Sequence, residues 1–229
     1  MRVKVCGAVS ELDLRVAKLS GADAVGVISP AKDWPDYQKS TNSHTVITEQ
    51  ALWLRESLPD GLEFVWLPRR TTDFEEITDF ARLIKPDRIQ IGETEVPELA
   101  IALHEHYADD ENTPKVAQVV HVADEPVSIE HFADKVDYIH LDSAGERFGG
   151  NGISHDWKVS AEIAEQAHAA GTPVILAGGL TVANVAEAIA IVQPDEVDVE
   201  SSIRSSFGAY SQIELQRFVQ EAHEAGALL

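Results

Sequence analysis

The chain has 229 residues, 44% of them apolar, enough to bury one large α/β core. Its 39 acidic against 18 basic residues leave a formal charge of -21, a field that repels nucleic-acid backbones and suits a surface kept soluble in concentrated salt, as in a halophile. One cysteine excludes an internal disulfide and a thiolate metal site, and the opening "MRVKVCG" enters a strand directly with no apolar leader or membrane-length run, so a cytoplasmic protein without a membrane partner is expected.

The first strand-like run is "VKVCGA" (3–8), followed by a helical pattern from near Glu11. The alternation then repeats: "AVGVIS" (24–29) with a helix near Thr48, "EFVWLP" (63–68) near Asp73, "RIQIGE" (88–93) near Val96, and "KVAQVVHV" (115–122) near Ser128. It closes with "YIHLDS" (138–143) and Lys158, "PVILAGG" (173–179) and Val182, and "EVDVESS" (196–202) and Tyr210. Strict alternation requires parallel strands with crossover helices. The count of eight, and the lack of a GxGxxG turn after the first strand, predict a (β/α)8 TIM barrel over a doubly wound sheet. No linker-like stretch divides residues 1–229, so one domain is expected. The longest irregular pieces, 30–46 and 143–156, follow strands, on the side where barrels build their sites.

Strand alternation turns Val3, Val5, Ile139 and Leu141 outward to the helices and Lys4, Cys6, Gln90, His140, Asp142 and Asp198 into the barrel. Such polar groups are costly to bury unless they pair or meet a ligand. Cys6 is therefore either a small packed hydrophobe or a reactive group at the mouth. "AGGL" (177–180) and "DVESS" (198–202) end the seventh and eighth strands, where barrels bind phosphate through backbone amides; Gly178, Gly179 and Ser201 are the candidates, although paired glycines also relieve crowding at a turn. "HEH" (104–106) points its imidazoles apart on a helix, so no metal is expected there. "PRR" (68–70) ends the third strand, and its arginines either touch an anionic ligand or offset local acidity.

Taken in order, "KVCG" (4–7), "GADAVGVI" (21–28), "IHLDS" (139–143), "GGNG" with "DW" (149–157), "ILAGGLTVANVAEAI" (175–189) and "VDVESS" (197–202) make the chain resemble phosphoribosylanthranilate isomerase, the tryptophan-pathway barrel enzyme. The resemblance implies an Amadori rearrangement of a phosphorylated aminosugar, with neither metal nor cofactor. It implies Asp142 as the general acid that opens the furanose ring and Cys6 as the base that takes the proton from C2. A thiol needs help to ionise, which a cation such as Lys4 can give. Ser202 joins the phosphate candidates; Gly149, Gly150 and Gly152 flank Asn151 in a cover over the sugar, and Lys32, Gln90, Asp198 and Arg204 are expected around the substrate. A monomer or homodimer acting on a small molecule fits this picture.

The chain also departs from the family. "QIGE" replaces a QLHG pattern on the fourth strand, and "ISPAKDWPDYQKS" lacks the arginine that clamps the anthranilate carboxylate, leaving Lys32 nearest. "DVESSIR" stands for DVSSGVE, putting Glu200 at the phosphate mouth with Arg204 as the group expected to neutralise it. These changes leave open a paralogue that isomerises another phosphosugar, or a barrel that binds a phosphorylated ligand without turnover.

Overall fold

The computed structural model describes residues 1–32, 44–92, 97–108, 112–123, 127–143, 156–205 and 208–229. Eight parallel strands close on themselves in chain order, with the first hydrogen-bonded to the last. They are β1 (Arg2–Val5), β2 (Ala24–Pro30), β3 (Glu63–Arg69), β4 (Arg88–Ile91), β5 (Lys115–Val122), β6 (Tyr138–Ser143), β7 (Val174–Leu176) and β8 (Glu196–Val199). The helices between and after them are α1 (Glu11–Leu19), α2 (Thr48–Glu56), α3 (Phe74–Ile84), α4 (Glu98–Tyr107), α5 (Trp157–Ala169), α6 (Val185–Val192) and α7 (Gln212–Gly226). The (β/α)8 expectation therefore holds, with one local correction. The helix expected near Ser128 is only a 3-10 turn, Ala133–Lys135, because Ile129, Phe132, Ala133 and Val136 bury themselves in a single turn before the chain extends into β6. None of the described helices is long and apolar enough to cross a membrane.

Outward-facing Val3, Val5, Val25, Val27, Phe64, Trp66, Ile89, Ile139 and Leu141 are wholly buried against the helices. Trp66 packs on Phe80 of α3 with ring centroids 5.0 Å apart, and its indole N–H donates to Ser29 Oγ at 3.0 Å, so the polar edge of this large ring is also satisfied.

A repeated device closes the lower rim. Asp23, Asp87, Asp137 and Asp195 each precede an even-numbered strand, and each carboxylate accepts the amide of the odd-numbered strand beside it: Val3, Phe64, Val116 and Val174, at 2.7 to 2.8 Å. Above this rim the interior is ionic. Arg88 sends Nη1 and Nη2 to Glu196 at 2.8 and 3.0 Å and Nε to Glu63 at 2.7 Å, with its guanidinium over the Tyr138 ring. Arg88 and Glu196 are almost fully buried, and such a pair holds only because every charge has its partner.

Candidate active site

The site grows from the upper ends of the strands. In β1, Lys4 and Cys6 point inward. Lys4 Nζ meets Asp198 Oδ2 at 2.5 Å, on the strand where the two are direct register partners. His140 Nε2 stands 3.6 Å from the same oxygen. Burial alone would lower the Lys4 pKa, but Asp198 overrides it and holds the ammonium charged; burial and the neighbouring Lys4 and Arg88 hold His140 well below its ordinary value, hence neutral. Asp198 itself is raised to about 6 by burial, against the pull of Lys4.

Asp198, expected around the substrate, thus lies one inward step below Cys6, paired with Lys4. Gln90, also expected there, is buried in the inward series of β4.

Cys6 follows β1 directly and its backbone is held from three directions. Its amide donates to Val199 O at 2.9 Å, while its carbonyl accepts Tyr210 Oη at 2.8 Å and Arg204 Nη2 at 3.1 Å. The sulfur lies against Gly26 of β2, where an added Cβ would fall 2.8 Å from Sγ; the glycine makes the space for the thiol. Cys6 is 6% exposed, and the charges of Lys4, Asp198 and Glu200 act on its thiol. Burial pushes the thiol up to about 12; Lys4 pulls it down, and Asp198 and Glu200 push it further up. The help expected from Lys4 is therefore present but outweighed by burial, to which the charges of Asp198 and Glu200 add.

Asp142 comes from β6. Its Oδ1 accepts the Ser143 amide at 2.8 Å, and its register partner on β5 is His121. Burial raises this carboxyl, with Glu200 adding to the rise, while the Ser143 amide, His121 and Lys4 pull it back. Lys4 and Glu200 act on both Cys6 and Asp142; a Cβ on Gly178 would fall 3.1 Å from Asp142 Oδ1, and one on Gly7, next to Cys6, 2.7 Å from Glu200 Oε1, so both groups lie where their strands finish, at the same end of the barrel.

Gly178 and Gly179 have φ of +87° and +65°, two successive left-handed residues that a side chain would strain. Among the described residues their amides meet no acceptor, and successive left-handed or turn amides form the concavity that cradles anions. Asn184, at the start of α6, braces the loop by donating to Gly179 O at 3.0 Å and accepting Thr181 N at 2.7 Å. Ser202 Oγ donates to Leu180 O at 2.7 Å, stitching this loop to the one after β8; Ser201 opens the adjacent 3-10 turn and is exposed.

Two expected substrate contacts are directed elsewhere. Lys32 pairs with Glu76 at the start of α3. Arg204 is turned inward onto the carbonyls of Gly7 and Gly208, both at 2.6 Å, besides Cys6, and stacks over Tyr210. It reaches Glu200 at 3.8 Å, whereas His44 Nδ1 lies 2.5 Å from the same oxygen. Glu200 thus has two partners, of which the sequence pointed to one. Gly149, Asn151, Gly150 and Gly152 lie outside the described residues. His121, Tyr210, Asn184, Gly26 and His44 escaped sequence reasoning; only His121 had a usable signal, since the parity of β5 against β6 puts it beside Asp142. No group of three potential metal ligands occurs among the described residues.

Residues 14–221 match the family described as N-(5'phosphoribosyl)anthranilate (PRA) isomerase. The N-(5'-phosphoribosyl)anthranilate isomerase of Halobacterium salinarum is 36% identical, covering 96% of this chain and 95% of its own. Among solved structures, phosphoribosyl anthranilate isomerase from Thermotoga maritima superposes with a TM-score of 0.78 at 25% identity, over 98% of this chain and 99% of that one. A phosphoribosyl anthranilate isomerase in complex with reduced 1-(o-carboxyphenylamino)-1-deoxyribulose 5-phosphate superposes at 0.74 with 24% identity, over the same shares.

Proposed function

Because the chain belongs to the N-(5'-phosphoribosyl)anthranilate isomerase family, we propose that it converts N-(5'-phosphoribosyl)anthranilate into the corresponding 1-amino-1-deoxyribulose 5-phosphate in the cytoplasm, with Asp142 as acid and Cys6 as base. The observation that supports this reading is the pair itself: a carboxyl at the end of β6 and the only thiol of the chain at the end of β1, the carboxyl beside a diglycine of two successive left-handed residues.

Asp142, held toward its protonated form, delivers a proton to the furanose ring oxygen. The C1–O bond breaks, the nitrogen lone pair forms a protonated Schiff base, and the sugar opens. Cys6 then removes the proton from C2, and the C–H electron pair neutralises the iminium to give the enolamine, which becomes the ketone by losing its O2 proton and gaining one at C1. The order of steps answers the raised pKa of the thiol. A cation next to C2 exists only after ring opening, and an adjacent positive charge favours thiolate. The phosphate rests on Gly178, Gly179, Ser201 and Ser202.

The test is disappearance of N-(5'-phosphoribosyl)anthranilate with the wild-type chain and with Cys6→Ser and Asp142→Asn. Turnover by the wild type and its loss in both variants is expected. Binding of the compound without turnover would replace this reading by that of a binding barrel.

A further inference from the structure

The turn that carries the thiol is held at each peptide group around it. The amide of Cys6 donates to Val199 O on β8, and the amides of Gly7 and Ala8 both donate to Gly26 O on β2, each at 2.9 Å. The carbonyls of Cys6 and Gly7 are taken up by side chains from beyond β8. Arg204 Nη2 donates to both, at 3.1 and 2.6 Å, and Tyr210 Oη donates to Cys6 O at 2.8 Å.

These two side chains are themselves anchored. Arg204 and Tyr210 form an isolated antiparallel bridge, with the guanidinium 4.8 Å from the centre of the Tyr210 ring. Arg204 Nη1 donates to Gly208 O at 2.6 Å, and the Tyr210 amide donates to Asp13 Oδ1 at 3.1 Å. The other oxygen of Asp13 accepts the Val9 amide and the Ser10 hydroxyl, which ties the bridge to the start of α1. Gly7 leaves room for this arrangement: its φ is +81°, and a Cβ there would fall 2.5 Å from Arg204 Nη2.

A glycine beside the base softens the backbone, and a misplacement of about 1 Å can cost on the order of 100-fold in rate. The Arg204 side chain is only 5% exposed and is turned to backbone oxygens, so it holds the turn rather than a ligand. The family pattern DVSSGVE has a glutamate where "DVESSIR" has Arg204, and a carboxylate cannot donate to a carbonyl.

We propose that Arg204, together with Tyr210, is a positioning residue for the reaction: it fixes the Cys6–Gly7 backbone so that the sulfur meets C2 of the sugar, and it touches no reacting atom itself. The inference rests on the isomerase reading above.

Its test combines turnover of N-(5'-phosphoribosyl)anthranilate, unlabelled and deuterated at the sugar C2, with iodoacetamide labelling of the unliganded protein. Arg204→Gln should lower kcat on the order of 10–100-fold with KM within about threefold of the wild type. Tyr210→Phe removes one hydroxyl and keeps the ring, so its loss should be smaller and in the same direction. In both, the C2 isotope effect on kcat should rise, because C–H cleavage is the step that slows. Arg204→Lys keeps the charge but not the fork that spans two carbonyls, and should recover only part of kcat. Labelling at pH 8 should be about threefold faster or more in Arg204→Gln, as the released turn opens locally, and faster than the wild type in Tyr210→Phe. A role in folding alone lowers the amount of active enzyme and leaves the isotope effect and the labelling rate of the folded protein unchanged; that result overturns the proposal. So does a rise in KM at constant kcat, which would make Arg204 a substrate contact. Should Arg204→Gln not fold, the same two readouts on Tyr210→Phe decide. If the wild type leaves this substrate untouched, the isomerase reading falls, and labelling alone judges the positioning role: faster labelling upholds it and an unchanged rate overturns it.

Discussion

The thiol of Cys6 offers a quantitative test, because it is the only cysteine and alkylation reports on it alone. With its pKa pushed to about 12, the thiolate fraction at pH 8 is on the order of 1 in 10,000. A free thiol of pKa ~8.5 has about a quarter in that form at the same pH. The more basic thiolate is the better nucleophile, which recovers roughly 40-fold for a Brønsted slope near 0.45. Iodoacetamide should therefore label the unliganded protein ~60-fold more slowly than free cysteine at pH 8, before any steric hindrance. The rate should climb about tenfold per pH unit from 7 to 10 without a plateau. Asp198→Asn removes an anion near the sulfur and releases Lys4 to face it, so labelling at pH 8 should rise about tenfold or more. Stopped-time mass spectrometry measures this, with Cys6→Ser as the blank. A plateau below pH 9, or no acceleration in Asp198→Asn, would refute the view that burial and the Lys4–Asp198 pair keep the thiol protonated.

Gly178→Ala should lose both stability and turnover. The left-handed backbone costs about 1–2 kcal/mol, and its Cβ would overlap the Ser143 hydroxyl and fall 2.7 Å from the Ser143 amide nitrogen that holds Asp142; thermal unfolding and kcat measure the two losses. Glu196→Gln leaves buried Arg88 short of charge, at a cost of about 3–5 kcal/mol, which for a chain of this size is a fall in Tm of roughly 6–20 °C. Asp142→Asn should raise Tm at pH 8. Burial lifts the folded-state pKa above the unfolded one, so the carboxyl's favourable contribution is complete only below the unfolded value and is lost as pH rises through the folded value. The gain in Tm should therefore shrink toward zero as the pH is lowered to about 4, near the ordinary value for aspartate; a constant gain would point to packing instead.

Most of the scaffold is legible in the chain because the signals are local. Each strand has its apolar alternation, each helix its amphipathic period, and the count of eight follows. The Ser128 segment misled because Ile129, Phe132, Ala133 and Val136 have helical spacing but too little chain before β6 to continue it. Inward and outward parity was also legible, which is why Lys4, Cys6, His140 and Asp198 all fall inside. What parity does not carry is partnership. Arg88 finds Glu196, 108 residues on, and Arg204 finds the Gly7 carbonyl, 197 residues back. Lys32 was expected at the substrate for its charge, but the start of α3 brought Glu76 to it first. The four rim aspartates went unnoticed although they recur before every second strand, since a carboxylate before a strand has no distinctive local pattern. The acid surplus, by contrast, needed no structure, and the relative in Halobacterium salinarum agrees with a high-salt reading.

The division of labour between sulfur and carboxyl is tested most directly with N-(5'-phosphoribosyl)anthranilate carrying deuterium at the sugar C2. The wild type should show a primary isotope effect on turnover or release the label to solvent. Both Cys6→Ser, which lacks the base, and Asp142→Asn, which cannot open the ring, should retain it. Label leaving the Cys6→Ser enzyme at the wild-type rate would contradict the assignment of the C2 proton to this thiol.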